Sequence, residues 1–490
     1  MQSLTESSAI SHTAASRSTG RRIARPVRKT LALVRDPLRM LLFFLTIVTI
    51  SRVHLHYPVL AKFRVVLLLT LGALAYAYLN PRFLTRANVL TWWPMRLVTI
   101  VGVLACISAV FGISLGNSAL FILDSFSKTL LYAFLLALAI RQARDLYTFV
   151  WAFVISCGIL CLFSIFVFDL SSAGSQSARL GELYTYDAND LGVILMIGLP
   201  MTMLLVALDR GLKRLLLVLT LIGIAIAMAR SGSRGGFLGL VAVALAALCL
   251  VNAVPLPRRI ALLGAVLFAL VVGAPTGYWK QMATILSPKE DYNYSSVDGR
   301  HALITRGLGY MARYPLFGIG VWNFAKAECT ISPKIESRPA NEPVRCVAPH
   351  NSFVQAGAEL GVPGLIVWGS LVFSVIAGPI RWRKRLPKSW RKGNLEGRFL
   401  YGATIFFPIA GIGFAVTSFF VTFAFADPIY LLAALVTGLY IAIEAQLEAE
   451  GLPGVGPGRR SHSGGRRSGW RVMRSTLRAR RVNTDLLGVR

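Results

Sequence analysis

A succession of long apolar segments is the feature that most limits how this chain can fold. Between residues 38 and 446 the sequence repeatedly passes through stretches of roughly 17 to 25 mainly apolar residues, the length at which a helix crosses the hydrocarbon layer of a membrane. Of the 490 residues, 55% are hydrophobic and only 15% are charged, which excludes an ordinary soluble domain. We therefore predict an all-α polytopic membrane protein with about twelve transmembrane helices. The predicted spans are 38–51, 64–80, 96–115, 119–140, 146–170, 190–208, 214–230, 235–252, 259–275, 351–379, 399–420 and 428–446.

Lysine and arginine in the short loops predict the orientation of these spans. Every second connection is basic, whereas 116–118 and 421–427 contain neither Lys nor Arg. The connection 52–64, with three basic residues, departs from this alternation. Because basic loops stay on the cytoplasmic side, both chain termini are expected there, and the long segment 276–350 is expected on the opposite side. The basic loops are 81–96, 141–145, 209–214, 253–259 and 380–398.

Much of the positive charge lies at the two ends of the chain. The net charge is +30, and both 1–36 and 451–490 are rich in Arg and poor in apolar residues. Such segments bury too little apolar surface to fold, so we predict that both are largely disordered and held near anionic lipid, while 37–450 forms the bundle. Binding to nucleic acid explains this positive charge less well, because no aromatic or glycine-rich recognition motif accompanies the basic segments.

The segment 276–350 is too long for a simple connection and is predicted to be functional. Within it, the spacing of Leu303, Leu308 and Met311 predicts an amphipathic helix that ends at Pro315. This large loop is therefore expected to contain helices.

Two cysteines, Cys329 and Cys346, lie in this same loop, whereas the other four lie inside predicted spans. In an oxidising exterior two such cysteines favour a disulfide, although the sequence leaves a pair of free thiols open.

Two arginines are candidates for binding an anion. Arg234 follows Ser233 and precedes two glycines, so a guanidinium and free backbone N–H groups would meet at a helix N-terminus, an arrangement that suits a phosphate or diphosphate. Arg300 begins the predicted loop helix, where the helix dipole opposes a cation unless an anion compensates. The alternatives are a lipid-headgroup contact for Arg230, four residues before Arg234, and an ordinary solvated or Asp298-paired position for Arg300.

A histidine and a glutamate lie at the start of the tenth span. The pKa of an unperturbed histidine lies near 6.5, which makes His350 a natural proton acceptor at neutral pH. Its position alone favours the alternative, a histidine that only caps the span by hydrogen bonding. Glu359 lies on the opposite helix face, roughly 13.5 Å deeper, so it is not a partner of His350. We expect Glu359 to find a donor inside the bundle and to be architectural, with a kink near Gly361 and Pro363.

Three stretches in order, "SGSRGGFLGL", "GRHALITRGLGYMARYPLFGIGVWNF" and "PHNSFVQAGAELGVPG", resemble the O-antigen ligase and polymerase superfamily of bacterial envelope glycosyltransferases. The resemblance covers roughly 170–380. It implies transfer of a glycan from an undecaprenyl-diphosphate carrier to an acceptor hydroxyl of a lipid or glycan, on the periplasmic side of the bacterial inner membrane. It also implies that no metal or cofactor is used, and that partners belong to a polysaccharide assembly pathway.

The resemblance further implies roles for individual residues. The catalytic residues would be His350, as general base, with Arg300 and Arg234 on the diphosphate. The stretch "YDANDLG" departs from the superfamily's usual proline before asparagine, which leaves a role for Asn189 or Asp190 in doubt. Candidate substrate-binding residues are Arg179, Arg230, Arg306 and Asn351.

Other functions remain open from the sequence. A ligase, a polymerase and a transferase to protein differ only in the acceptor, and the sequence does not distinguish among them. A solute transporter would require charges near the middle of the membrane, and Asp124 and Lys128 are the best support for one, although an ion pair one helical turn apart explains them equally. A non-catalytic scaffold of a polysaccharide export system is the third alternative.

Overall fold

A computed structural model describes residues 36–171, 179–181, 186–252, 255–287, 296, 298–335 and 344–456. Within these ranges the chain is helical apart from connecting segments and one antiparallel pair of two-residue strands, which pairs Leu170 with Leu180. The predicted all-α fold is thereby confirmed. Disorder was predicted for 1–36 and 451–490, and of these segments residues 1–35 and 457–490 lie outside the described residues.

The helices and strands follow one another with short connections. The α-helices are α1 (Pro37–Ser51), α2 (Pro58–Lys62), α3 (Val65–Leu79), α4 (Trp93–Phe111), α5 (Leu115–Phe121), α6 (Ser127–Ala139), α7 (Ala143–Phe166), α8 (Ala188–Leu208), α9 (Leu212–Ser231), α10 (Arg234–Leu250), α11 (Leu256–Gly273), α12 (Tyr278–Ala283), α13 (Arg300–Arg313), α14 (Phe324–Thr330), α15 (Ser352–Arg383), α16 (Leu395–Thr417) and α17 (Asp427–Ala449). A π-helical turn, Ile122–Phe126, joins α5 to α6. The strands are β1 (Leu170–Ser171) and β2 (Arg179–Leu180).

Nine helices of the described chain are long and apolar enough to cross a membrane, when α5 and α6 are taken as one helix through the π-helical turn. They indicate a multi-pass membrane protein. The other three predicted spans are present as α1, α3 and α10, apolar helices of 15, 15 and 17 residues. These lengths lie at or below the lower end of the range of about 17 to 25 residues over which a helix crosses the hydrocarbon layer. Twelve crossings therefore stay a prediction.

The centre of the bundle is formed by α8, α16 and α17, whose apolar windows are mostly buried within the protein. Among its neighbours, α8 packs against α16 and α10. By contrast α11 is almost entirely exposed on the outside of the bundle, as expected of a lipid-facing helix. The central helices thus form a rigid support for the segments that connect their ends.

The long loop contains helices as predicted, namely α12, α13 and α14, and α13 packs against α15. The predicted kink is also confirmed, because α15 is broken at Gly361, where φ is 76°. A side chain at this position would lie 2.6 Å from the carbonyl oxygen of Pro315, which itself accepts a hydrogen bond from the Val362 N–H over 2.8 Å. The chain after α13 therefore packs directly into the break in α15.

Candidate functional site

A polar cavity of about 220 Å³ brings together three residues that lie far apart in the sequence. Arg234, Arg300 and His350 all line it, so the prediction that these three side chains meet is supported by their placement. They come from the start of α10, the start of α13 and the turn before α15. The remaining lining residues are Asp187, Asn189, Gly232, Gln281 and Asp298.

Arg234 is the first residue of α10, as the Ser-Arg-Gly-Gly pattern predicted. The Ser233 hydroxyl accepts a hydrogen bond from the Gly236 N–H over 3.0 Å and so caps the helix. Gly232 is left-handed, with φ 57°, and ends α9. This turn separates Arg230 from Arg234, so the two arginines do not share one continuous helix face. The Arg234 guanidinium donates to the Thr284 hydroxyl over 2.8 Å.

The N-terminus of α8 lies beside that of α10. The Ser233 hydroxyl donates to the Asn189 side-chain oxygen over 2.7 Å, which joins the two helix starts. Asp187 caps α8 by accepting from the N–H groups of Asn189 and Asp190 over 2.6 and 2.8 Å. Two helices thus direct their N-termini toward one cavity, and helix N-termini carry partial positive charge.

Arg300 begins α13 behind Gly299, which supplies no side-chain cap. Its guanidinium carbon lies 5.9 Å from the centre of the Phe420 ring, at the cation–π limit. The helix dipole disfavours a cation here, and a negatively charged ligand in the cavity would offset this cost.

His350 is held in an unusual backbone conformation, with φ 46°. Its N–H donates to the Thr422 hydroxyl over 3.1 Å, which fixes the turn against the segment between α16 and α17. Burial and then the positive charge of Arg300 lower the pKa of His350 below 6.5, while Asp187 opposes this shift. The imidazole is therefore neutral at pH 7 and able to accept a proton.

A second and larger cavity, of about 990 Å³, also reaches His350 and Asp187. Its other walls come from α1, α3, α5, α6 and the segment before α17. Arg52 after α1, Trp322 before α14 and Asp427 at the start of α17 also line it. His350 thus lies between a small cavity lined by two arginines and a wide cavity lined by both apolar and charged side chains. Two reactants could reach the imidazole from different sides.

The predicted substrate-binding residues occupy other positions. Arg230 donates to the carbonyl oxygens of Ser164 and Phe168 over 2.7 and 3.0 Å, at the end of α7. The Asn351 side-chain oxygen accepts from the N–H groups of Phe353 and Val354 and caps α15. Neither residue lines the polar cavity, and their contact with substrate stays a prediction.

Arg306, the third of these residues, belongs to a buried ion network. It donates to the carboxylate of Glu328 over 2.7 Å, and Lys334 binds both Glu328 and Asp298 over 3.0 and 2.9 Å. Tyr310 donates to Glu328 over 2.8 Å. Arg306 therefore contributes first to the fold of the loop. The fourth residue, Arg179, lies on β2, where its backbone pairs with Ser171.

The structure decides the pairing of the two loop cysteines, which the sequence left open, and confirms the expected role of Glu359 on α15. Cys329 and Cys346 form a disulfide, with 5.3 Å between their Cα atoms. Glu359 is buried and accepts hydrogen bonds from the N–H groups of Trp322 and Phe324 over 2.8 and 3.0 Å, so it has the architectural role expected. The Lys128 ammonium and the Asp124 carboxylate form an exposed ion pair over 2.8 Å, which agrees with the expectation of an ion pair one helical turn apart.

The sequence did not identify several residues of the site. Asp187 lines both cavities, and the only signal for it was the spacing of Asp187 and Asp190, a capping-box pattern at a helix start. Gln281 donates to the carbonyl oxygen of Gly232 over 2.9 Å and lines the polar cavity, yet nothing in its neighbourhood marked it.

The fold is that of a multi-pass helical membrane protein, and its polar cavity brings two arginines together with a histidine. Residues 216–369 match the family model described as O-Antigen ligase. The resemblance to the O-antigen ligase and polymerase superfamily is thereby confirmed over this segment, which contains Arg234, Arg300 and His350 and is less than half of the chain. No curated protein matches the chain.

Proposed function

We propose that this protein transfers a glycan from undecaprenyl diphosphate to an acceptor hydroxyl at the extracytoplasmic face of the bacterial inner membrane. The match to the O-Antigen ligase family supports this class of activity. The observation that carries the proposal is the meeting of Arg234, Arg300 and His350 in one polar cavity. A diphosphate needs cations and backbone N–H groups, and an acceptor hydroxyl needs a base, and this cavity offers both.

The reaction proposed is a direct displacement at the anomeric carbon of the donor sugar. The acceptor oxygen forms the new C–O bond while the bond from the anomeric carbon to the phosphate oxygen breaks, and its electron pair leaves with the diphosphate. Arg234 and Arg300 neutralise the negative charge that grows on the leaving group, a form of electrostatic catalysis. His350 takes the proton of the acceptor hydroxyl and later releases it to solvent.

Arg179, Arg230, Arg306 and Asn351 keep their predicted substrate-binding role in our proposal, and the last three also support the site from a distance. Arg230 holds the end of α9 against α7, Arg306 holds the loop network, and Asn351 caps α15 directly behind His350. Acting through the backbone, they keep the three catalytic side chains in place.

The test is glycan transfer by the full-length protein in lipid nanodiscs, with a carrier-linked donor. His350→Ala, Arg300→Ala and Arg234→Ala are each expected to lower the rate by about 100-fold or more, as removal of a base or of an oxyanion-stabilising donor does in other enzymes. His301→Ala and Arg313→Ala are matched controls, because both residues are exposed on α13. Their rates should stay within about twofold of the unmodified protein.

Other outcomes would refute the proposal. A scaffold would support normal surface glycan in cells with His350→Ala, and a transporter would lose solute uptake while glycan transfer stayed unchanged.

A further inference from the structure

Trp322 has a backbone conformation that is rarely adopted by a large side chain. Its φ is 64°, in the left-handed region, where a bulky residue is a genuine outlier. Such strain persists only where the surroundings enforce it, and it concentrates at functional sites.

The buried carboxylate of Glu359 holds this turn from one side. One oxygen accepts the Trp322 N–H over 2.8 Å, and the other accepts the Phe324 N–H over 3.0 Å. From the other side, Asn117 donates to the Trp322 carbonyl oxygen over 2.9 Å, and the Ser118 hydroxyl donates to that of Val321 over 2.7 Å. The turn is therefore fixed both to α15 and to α5.

The fixed turn directs the indole ring into the wide cavity. Trp322 stacks on Phe121 with 4.4 Å between ring centres and an angle of 1° between the ring planes. The stack covers one face of the indole, yet the side chain remains 45% exposed and lines the cavity. An apolar ring surface is thus presented to whatever enters there.

The rest of the cavity wall combines apolar side chains, such as Leu120 and Phe425, with charged ones. Asp187 and Asp427 line it together with Arg52, and His350 lies at its junction with the polar cavity. A sugar ring has an apolar C–H face, which packs on an aromatic ring, and hydroxyl groups, which donate to carboxylates and accept from guanidinium groups. Carbohydrate is therefore a ligand class that can pack on the aromatic ring and also form hydrogen bonds with the charged side chains of this cavity.

We propose that Trp322, stacked on Phe121, is the platform on which a sugar ring of the acceptor glycan binds in the wide cavity. This inference rests on the proposed function and adds where the acceptor lies. With the donor diphosphate between the arginines of the polar cavity, an acceptor sugar on Trp322 approaches His350 from the opposite side. The hydroxyl that attacks and the base that deprotonates it then meet at the junction of the two cavities.

The first arm of the test measures binding without turnover. The full-length His350→Ala protein in nanodiscs is titrated with oligosaccharides released by mild acid from the source bacterium's own surface polysaccharide, and binding is measured by calorimetry. Adding Trp322→Gly removes the ring while glycine adopts the same φ without strain, so the fold should persist. We expect the Kd to rise about tenfold, and Trp322→Phe to recover most of the affinity.

A matched control excludes a general effect of tryptophan at a membrane interface. Trp279, on α12 of the same loop, is 43% exposed but does not line the wide cavity. Trp279→Phe and Trp279→Gly should leave the Kd unchanged. Equal losses from the two tryptophans would overturn the platform.

The second arm measures turnover in proteins that retain His350. Trp322→Gly should raise the KM for the acceptor about tenfold and leave the KM for the carrier-linked donor unchanged. An unchanged acceptor KM, or a change confined to the donor KM, would overturn the platform while transfer itself continued. Absence of transfer in the unmodified protein would instead refute the proposed function, and the binding arm would still test the platform.

Discussion

Lys334 donates a hydrogen bond to Asp298 over 2.9 Å and another to the carbonyl oxygen of Arg345 over 2.8 Å. Asp298 lies two residues before Arg300, and Arg345 lies five residues before His350. One buried ammonium group thereby joins the segment that presents the arginine to the segment that presents the histidine. We therefore expect this bridge to help fix the placement of Arg300 relative to His350.

Lys334→Ala should therefore weaken both fold and catalysis. The change leaves Glu328 and Asp298 without one of their cationic partners in a buried setting, which costs about 3 kcal/mol of unfolding free energy. The melting temperature in nanodiscs measures this loss. Lys326→Ala, an exposed position on α14, is the control and should melt like the unmodified protein.

The pH dependence of transfer follows from the environment of His350. Because burial and then Arg300 lower the pKa of His350, the imidazole stays neutral at neutral pH, and the rate should fall only below pH 6.5. Arg300→Ala removes a charge that opposes protonation, so the pKa of His350 rises and the acid limb moves to higher pH. Rates measured between about pH 5 and 8 test this shift.

Arg300→Lys is the control for that experiment. It keeps a positive charge near the imidazole, so its acid limb should remain close to that of the unmodified protein even if its rate is lower. An acid limb that does not move in Arg300→Ala would show that the arginine does not act on His350.

The disulfide between Cys329 and Cys346 closes the loop four residues before His350. Cross-links that close loops of this size contribute about 3 kcal/mol, so Cys329→Ser with Cys346→Ser should lower the melting temperature. Reductant should have the same effect on the unmodified protein and none on the double variant. Cys106→Ser, at an exposed free cysteine, is the control.

Gly361 should tolerate no side chain. With φ at 76° and the Pro315 carbonyl oxygen 2.6 Å from the position of a Cβ, Gly361→Ala forces the break in α15 to open. We expect a lower melting temperature, measured beside Gly369→Ala, which meets no atom within 4 Å on the same helix. Equal stability of the two variants would contradict the close packing described.

Hydropathy and helix signals predicted much of this architecture because they act locally. Apolar runs, the Ser233 cap, the stop at Pro315 and the kink at Gly361 each follow from residues next to one another in the sequence. The bounds of α1, α3 and α10 also agree within two residues with the predicted spans, but hydropathy alone does not decide whether such short helices cross the membrane.

The site was partly predictable for a different reason. Arg234 and Arg300 were marked by their places at predicted helix starts and His350 by its place at the start of an apolar span. The resemblance to the superfamily then gave all three a catalytic role. The burial of Arg306 against Glu328 and the turn at Trp322 depend on contacts between distant segments, and no local pattern encodes them. Asp187 and Gln281 became part of the site only through the packing of α8, α10 and α12.

The central claim is that the two arginines hold the diphosphate and the histidine acts on the acceptor. Equilibrium binding of undecaprenyl diphosphate to the three alanine variants in nanodiscs tests it most directly. His350→Ala should bind the carrier within about threefold of the unmodified protein, whereas Arg234→Ala and Arg300→Ala should each bind at least about tenfold more weakly. Equal affinity in all three variants, or a loss confined to His350→Ala, would contradict the account.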